Sequence, residues 1–363
     1  MRDAIRGRSL FSRLCTAAAA LAAAALPAML SAACPAPNQG LSFDPLPDTD
    51  LRPPALIEAG PAGARRFVLR FDEAVTAVRG SFAVEPAEIG PIDLNAGFVE
   101  GADGSGSRRK NSPDSDLNLD FAADMRPGAD YKIAGEVSDA KGNTSRLILT
   151  FTGWNARPAS LRVSEVQTGR NSSQTKPHRD FLELLCAKAG NLGGVEVAWA
   201  STQKLCRCRF PAAEIKAGDL VVLHLAPEGL AGEIDESGAD TTVSGGTDSS
   251  PGGRDFWTKE GGLPDSSGAV AVYERPGGAP VSGFFYGELT KEGALGTSKL
   301  GTLVSELGAA GQWPLAGGEP CWEDAYRWKA SGSRSICLDP ATGQWYVTAS
   351  SGQSPGEANP PAP

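Results

Sequence analysis

Acid–base chemistry needs titratable side chains held close together, and this chain offers few of the usual sets. It has only two histidines. His178 stands in a polar stretch just before an apolar run, and His224 lies inside Leu-Val-Val-Leu-His-Leu at 220–225. A histidine on an apolar strand is more often a satisfied structural group than a base, so neither is assigned a catalytic role. Glu165 and Glu183 fall in two strand-like runs and could face one another, and paired carboxylates can cleave glycosidic bonds. Sequence sets no distance between them, and the plain alternative is a solvated face. No P-loop and no G-x-G-x-x-G after a strand is present. The expectation is a chain with no catalytic residues, no cofactor and no resident metal.

Two further sets could hold a ligand or a crosslink. Asp114, Asp116, Asn118 and Asp120 alternate like the start of a calcium loop, but Leu119 and Met125 stand where an EF-hand needs Gly and Glu. Leu117, Leu119 and Phe121 instead make this a strand whose other face carries the acids. Of seven cysteines, Cys15 and Cys34 fall in or beside an N-terminal leader, leaving Cys186, Cys206, Cys208, Cys321 and Cys337, an odd number. Cys321 could bridge Cys337, and Cys186 could reach Cys206 or Cys208. Cys206 and Cys208, two apart on a strand, point the same way and suit a mutual bond poorly. Zinc held by Cys186, Cys206, Cys208 and a histidine lacks the usual C-x₂₋₄-C spacing.

The elements that must position these groups are strands. Leu161–Val166, Phe181–Cys186 and Val195–Ala200 are short runs of strand formers between polar turns. Val195, Val197 and Trp199 alternate with Glu196 and Ala198, as in a half-buried strand. Similar runs occur at Phe67–Phe71, Leu117–Phe121, Tyr131–Val137, Leu147–Phe151, Leu220–Leu225, Ala269–Tyr273 and Val281–Tyr286. The stretch 227–265 is dominated by Gly, Ser, Asp and Thr and is expected to be a long loop. A second insertion, 287–320, carries Leu300, Leu303, Val304 and Leu307 at helical spacing, against Gly296, Gly301 and Gly308. The fold class expected is all-β: two tandem sandwiches, at 55–154 and 155–359.

Ordered motifs sharpen this. Ser164–Val166, Asp180–Leu184, a strand ending in Trp199, Phe210-Pro211, a step into Ala217–Leu223, then Gln344–Tyr346 and Ser354–Asn359 resemble the lamin-tail domain. That family is an Ig-like β-sandwich without catalytic residues, so the resemblance implies a binding or attachment module. Phe71–Val75 and Asp139–Asn143 around a Tyr strand resemble the bacterial Ig-like domains of extracellular proteins.

Residues 1–33 read as an export signal: Arg2, Arg6, Arg8 and Arg13 precede an uncharged, alanine-rich run. Leu30 to Cys34 resembles a lipobox, with leucine at −4, where a signal peptidase leaves a diacylated Cys34. An ordinary secretory signal cut near Ala33 and an uncleaved span are the alternatives. Residues 34–54, rich in proline, then form a lipidated tether. Pro35 is not the aspartate that retains lipoproteins at an inner membrane, which favours the outer membrane or cell surface.

Net charge is −9; the leader's four arginines and Asp3 give it +3, leaving −12 for the remainder. Such a surface repels phosphate backbones, and no nucleic-acid partner is expected. The sequence therefore points to a non-catalytic envelope lipoprotein, held to the membrane by its lipid and displaying loops to a protein or glycan. A hydrolase with its site in 227–265, and a structural part of a surface assembly, are the alternatives.

Overall fold

Strict alternation of apolar residues dictates the first pair of sheets. The computed structural model describes residues 50–90, 92–95, 115–169, 179–225 and 227–363. The opening strands are β1 (Leu56–Gly63), β2 (Arg66–Phe71), β3 (Thr76–Ala77), β4 (Ala83–Glu85), β5 (Ile92–Asn95), β6 (Asp116–Phe121), β7 (Asp130–Ser138) and β8 (Thr144–Thr152). One sheet runs β1-β2-β6-β5; in the other, β7 pairs with β8 on one side and with β3 and β4 on its opposite side. Phe67, Leu69, Phe71, Leu117 and Leu119 from the first sheet meet Tyr131, Ile133 and Val137 from the second in one buried core.

The acidic row at 116–120 is a strand, not a calcium loop. Arg66 stands opposite Asp120 and Arg70 opposite Asp116 in the β2–β6 register, and Nε–Oδ1 distances of 2.7 and 3.1 Å make these ion pairs. Asp114 lies outside the described residues.

The later strands are β9 (Ser160–Gln167), β10 (Phe181–Lys188), β11 (Gly190–Asn191), β12 (Glu196–Ala200), β13 (Leu205–Arg209), β14 (Glu214–Ile215), β15 (Leu220–His224), β16 (Gly253–Trp257), β17 (Gly268–Tyr273) and β18 (Pro280–Glu288). Helix α1 (Lys299–Ala309) and strands β19 (Tyr326–Trp328), β20 (Ile336–Leu338) and β21 (Trp345–Val347) complete them. One sheet runs β16-β15-β10-β9-β20-β21 and faces another, β13-β12-β17-β18-β19. Leu161, Val163, Leu182 and Leu184 pack across this gap against Val197, Trp199, Val270 and Phe284.

Two expectations are corrected by the packing. Every residue of β12 is buried, not every second one. The outer face of its sheet is a row of small groups, with Ala198 opposite Ala271 and Ala271 opposite Gly283, and α1 lies on that row. A Cβ on Gly283 would sit 2.2 Å from a methyl of Leu307, which shows how closely the helix approaches. Leu300, Leu303, Val304 and Leu307 are the buried stripe of α1, and Ser298 caps it by accepting from Gly301 N at 3.0 Å. The 227–265 stretch is not a loop throughout: it returns to the sheet as β16, parallel to β15. The edge of β16 is satisfied by loop carboxylates, Asp255 N donating to Glu236 at 2.9 Å and Trp257 N to Asp235 at 2.8 Å.

Enlarging the alanine row is expected to push α1 off the sheet. Ala271→Leu should lower unfolding free energy in urea by about 1–3 kcal/mol, the usual cost of overpacking. An unchanged midpoint would contradict the close helix–sheet approach.

Candidate functional site

The two glutamates flagged by sequence do face one another. Glu165 on β9 and Glu183 on β10 are register partners, and the β9 strand bulges at Ser164 immediately beside them. The bulge turns Glu165 to the outer face of the sheet, yet both acids have no exposed surface. That outer face is covered by a C-terminal strap, 354–359, so the solvated-face alternative is overturned. Ser354 donates its N–H to both Glu165 oxygens at 3.2 Å and its hydroxyl to Oε2 at 2.9 Å. Gly356 N donates to Glu183 Oε2 at 2.9 Å. Asn359 Nδ2 then reaches the bulged residue, Ser164 O at 3.2 Å and Oγ at 3.1 Å.

Gly356 threads a narrow gap in this strap. Its φ of 73° is left-handed. A Cβ there would lie 2.7 Å from Ser250 Cβ. Burial, and then the neighbouring Glu165 charge, push the Glu183 carboxyl up to about 8. Burial raises Glu165 as well, against the hydrogen bonds from Ser335 and Ser354. The Glu183 carboxyl therefore keeps its proton at neutral pH. Two sealed carboxylates spent on backbone N–H groups form a fastening, with no space for a sugar between them.

His224 is equally enclosed. Its Nε2 lies 2.8 Å from Asp255 Oδ1, and its ring stacks on Trp257, with centroids 3.9 Å apart. Trp257 Nε1 donates to Ser244 Oγ at 3.1 Å, and Glu236 accepts from Ser244 N at 3.0 Å. These contacts tie the 227–250 loop to the end of β15 and β16. Histidine, Asp255 and Glu236 are each about 1% exposed, which closes them to substrate. His178 and Cys34 lie outside the described residues.

The cysteine expectations are corrected: Cys186, Cys206, Cys208, Cys321 and Cys337 are all free thiols. Cys321 opens the turn that carries Trp322 into the helix–sheet core, whereas Cys337 is buried on β20 of the opposite sheet. Cys186 Sγ is directed at Lys188 O, at the end of its own strand, at 3.2 Å, and Cys206 Sγ at Glu260 O, in the segment after β16, at 3.4 Å. Among the described residues, these thiols and His224 do not gather three ligand atoms around one point.

An open recess lies where the first pair of sheets meets the second. It holds about 350 Å³ and is lined by Pro61, Phe151, Trp154, Pro158, Glu274 and Arg275, among others. The Arg275 guanidinium lies 5.8 Å from the Trp154 ring centroid. Beside the lining residue Gly194 backbone meets backbone: a Cβ on Gly128 would be 2.4 Å from Gly194 N. Asn155 Nδ2 donates to Asn191 O and Gly193 O, both at 2.8 Å, and Arg209 reaches Asp130 at 2.6 Å across the same junction. A second, polar recess of about 510 Å³ adjoins Arg179, Glu228 and Lys259, where Arg179 is already paired with Glu228 at 3.0 Å. Sequence reasoning missed the junction recess, since its walls come from four separate stretches of chain.

Comparison with known proteins places the second half of the chain. A family model described as a protein second domain, TP_1001_2nd, matches residues 159–353. A Treponema pallidum (strain Nichols) protein, itself named only as an uncharacterized protein, is 29% identical over 195 residues. That match takes in 53% of this chain and 47% of the relative, so the chain spans about half of the relative's length. The crystal structure of a DUF4876 family protein from Bacteroides thetaiotaomicron VPI-5482 is 15% identical, over 46% of this chain and 59% of that one. Its TM-score, 0.19, is too low to carry an argument.

Two outcomes follow from the sealed groups. Glu183 binds its proton more tightly folded than unfolded, so its own contribution to stability is full below about pH 4.5 and is lost as pH rises toward 8. Glu183→Gln is expected to flatten this slope and to be the more stable form at alkaline pH, by a few kcal/mol; superimposable pH profiles would contradict the pairing. Alkylation of the native protein without reductant is expected to label Cys208 and Cys321, with Cys186, Cys206 and Cys337 reacting only on unfolding. Recovery of a Cys321–Cys337 disulfide peptide would contradict it.

Proposed function

The chain belongs to the TP_1001_2nd family through residues 159–353, and within that setting we propose that it is a non-catalytic cell-envelope lipoprotein whose β-sandwiches bind a protein or glycan partner. The observation that carries the proposal is where the reactive groups lie. Glu165, Glu183, His224, Asp255 and Glu236 are all buried, and the hydrogen bonds they make go to the fold, while Glu183 Oε1 and His224 Nδ1 make none. The open recess at the junction contains none of them; it offers an indole, prolines and one charge of each sign. Pockets at domain junctions with apolar walls and few polar groups suit ligand binding.

The lamin-tail resemblance is part of the proposal. Its separate motifs converge on one fastening, Ser164, Glu165 and Glu183 holding Ser354, Gly356 and Asn359. On this reading the second pair of sheets is lamin-tail-like, the first is a bacterial Ig-like domain, and Cys34 carries the lipid. Among the described residues no helix is long and apolar enough to cross a membrane, and the attachment proposed is the lipid alone.

Binding to isolated envelope fragments is expected to survive Glu183→Gln and His224→Gln and to fall at least several-fold when Glu274→Lys and Arg275→Glu are combined. Loss of binding in the buried variants with the fold intact, or turnover of nitrophenyl esters, phosphates or glycosides that those variants abolish, would overturn the proposal. Labelled palmitate should enter the wild-type chain and not Cys34→Ala; equal labelling would remove the tether.

A further inference from the structure

Charged side chains around the join between the two pairs of sheets are mostly engaged with each other. Arg209 pairs with Asp130 at 2.6 Å and Arg157 with Glu214 at 3.2 Å. Glu274 and Arg275 break that pattern. They stand side by side in the turn between β17 and β18, and both line the open recess. Among the described residues neither side chain has an ion-pair or hydrogen-bond partner. The Arg275 guanidinium reaches only the Trp154 ring, at 5.8 Å from its centroid, near the outer limit of a cation–π contact.

Trp154 follows β8 and is half-buried against the first core. Its indole N–H has no acceptor among the described residues. Trp257, Trp313 and Trp328, in contrast, each donate theirs within the fold, at 3.1, 2.9 and 3.0 Å. The recess therefore gathers an indole, a carboxylate and a guanidinium that the fold leaves unengaged. Its volume of about 350 Å³ is at the small end for ligand pockets.

We propose that the recess takes a neutral glycan with vicinal hydroxyls, one sugar ring lying on Trp154 while Glu274 and Arg275 bind its hydroxyl groups. This rests on the binding function proposed for the recess and names the ligand class for that same site. A pyranose has a face of C–H groups, which covers an indole, and a rim of hydroxyls that both donate and accept. A carboxylate accepts from two adjacent hydroxyls, and the guanidinium fork donates to the oxygens beside them. One charge of each sign selects for neither an acidic nor a basic chain, and a phosphate or uronate would meet Glu274. The walls between these groups, Pro61, Gly153, Pro158 and Gly194, are flat. They suit a ring better than the socket that an anchoring side chain of a protein partner needs.

Co-sedimentation with envelope fragments tests it, using the full chain carrying Cys34→Ala so that the proposed lipid does not itself insert. One portion of fragments is digested with protease; a second is digested and then oxidised with periodate, which cleaves between carbons bearing adjacent hydroxyls. Binding is expected to survive the protease and to fall at least several-fold after periodate. Glu274→Gln and Arg275→Gln should each weaken binding to the digested fragments about tenfold, the loss of one charge-assisted hydrogen bond, with the urea midpoint unchanged. Lys259→Gln, in the second recess, should leave binding as it was. Binding abolished by protease points to a protein partner and overturns the glycan. Binding that persists through both treatments overturns the vicinal hydroxyls, and wild-type binding by either glutamine variant overturns the assigned contacts. In the first two cases a loss with Glu274→Lys and Arg275→Glu combined still upholds the recess as the binding site, so the two proposals fail separately. Untreated fragments that the chain does not bind overturn both.

Discussion

A pair of acids taken out of water in the middle of a sheet is the constraint to which the second half of this protein answers. Moving one carboxylate from water into a protein interior is costly, and a second beside it adds repulsion. The fold meets that cost in two ways. One acid keeps its proton, and the remaining oxygens are fed by backbone N–H groups of a segment 189 residues further along the chain. The local oddities nearby serve the same arrangement. The bulge at Ser164 aims Glu165 outward and frees a carbonyl for Asn359, and left-handed Gly356 lets the strap pass beside Ser250. Breaking such a pair costs more than never having had it, so the fastening behaves as a lock on chain closure.

The His224 network repeats this logic at the end of the same sheet. A parallel edge strand would leave N–H groups bare, and the loop before it returns Asp235 and Glu236 to cover them. Asp255 then holds His224, and Trp257 stacks on the ring. Groups that could do chemistry in an open cleft are consumed here in holding irregular chain to regular sheet. What remains open is the part with the least reactive chemistry, a junction recess beside a glycine-to-glycine contact.

Much of this was legible in the sequence, and the exceptions have physical causes. Period-two alternation located nearly every long strand, and the acids at 116–120 gave themselves away by alternating with Leu117, Leu119 and Phe121. That Glu165 and Glu183 could face each other was open to the sequence, which set no distance between them. Their burial was not legible, because the cover comes from the far end of the chain. β12 looked half-buried because alanine is nearly silent in a polarity pattern, and Ala198 and Ala200 take on a packing role only once α1 lies above them. The glycines that argued against α1 instead mark close approach, as Gly308 does against Leu315. β16 was hidden because its edge is satisfied by side chains of an acidic, glycine-rich stretch that reads as loop. Cysteine parity suggested crosslinks, but parity carries no information on which layer each thiol occupies.

The claim at the centre is that Glu183 stays protonated beside Glu165 in a buried site under the strap. Carbon-13 NMR of the side-chain carboxyls, followed through a pH titration of the intact protein, observes this directly. Glu183 is expected to titrate near pH 8, with Glu165 also above the ordinary carboxylate range. Two carboxyls that both titrate near pH 4.5, as solvated glutamates do, would contradict the account.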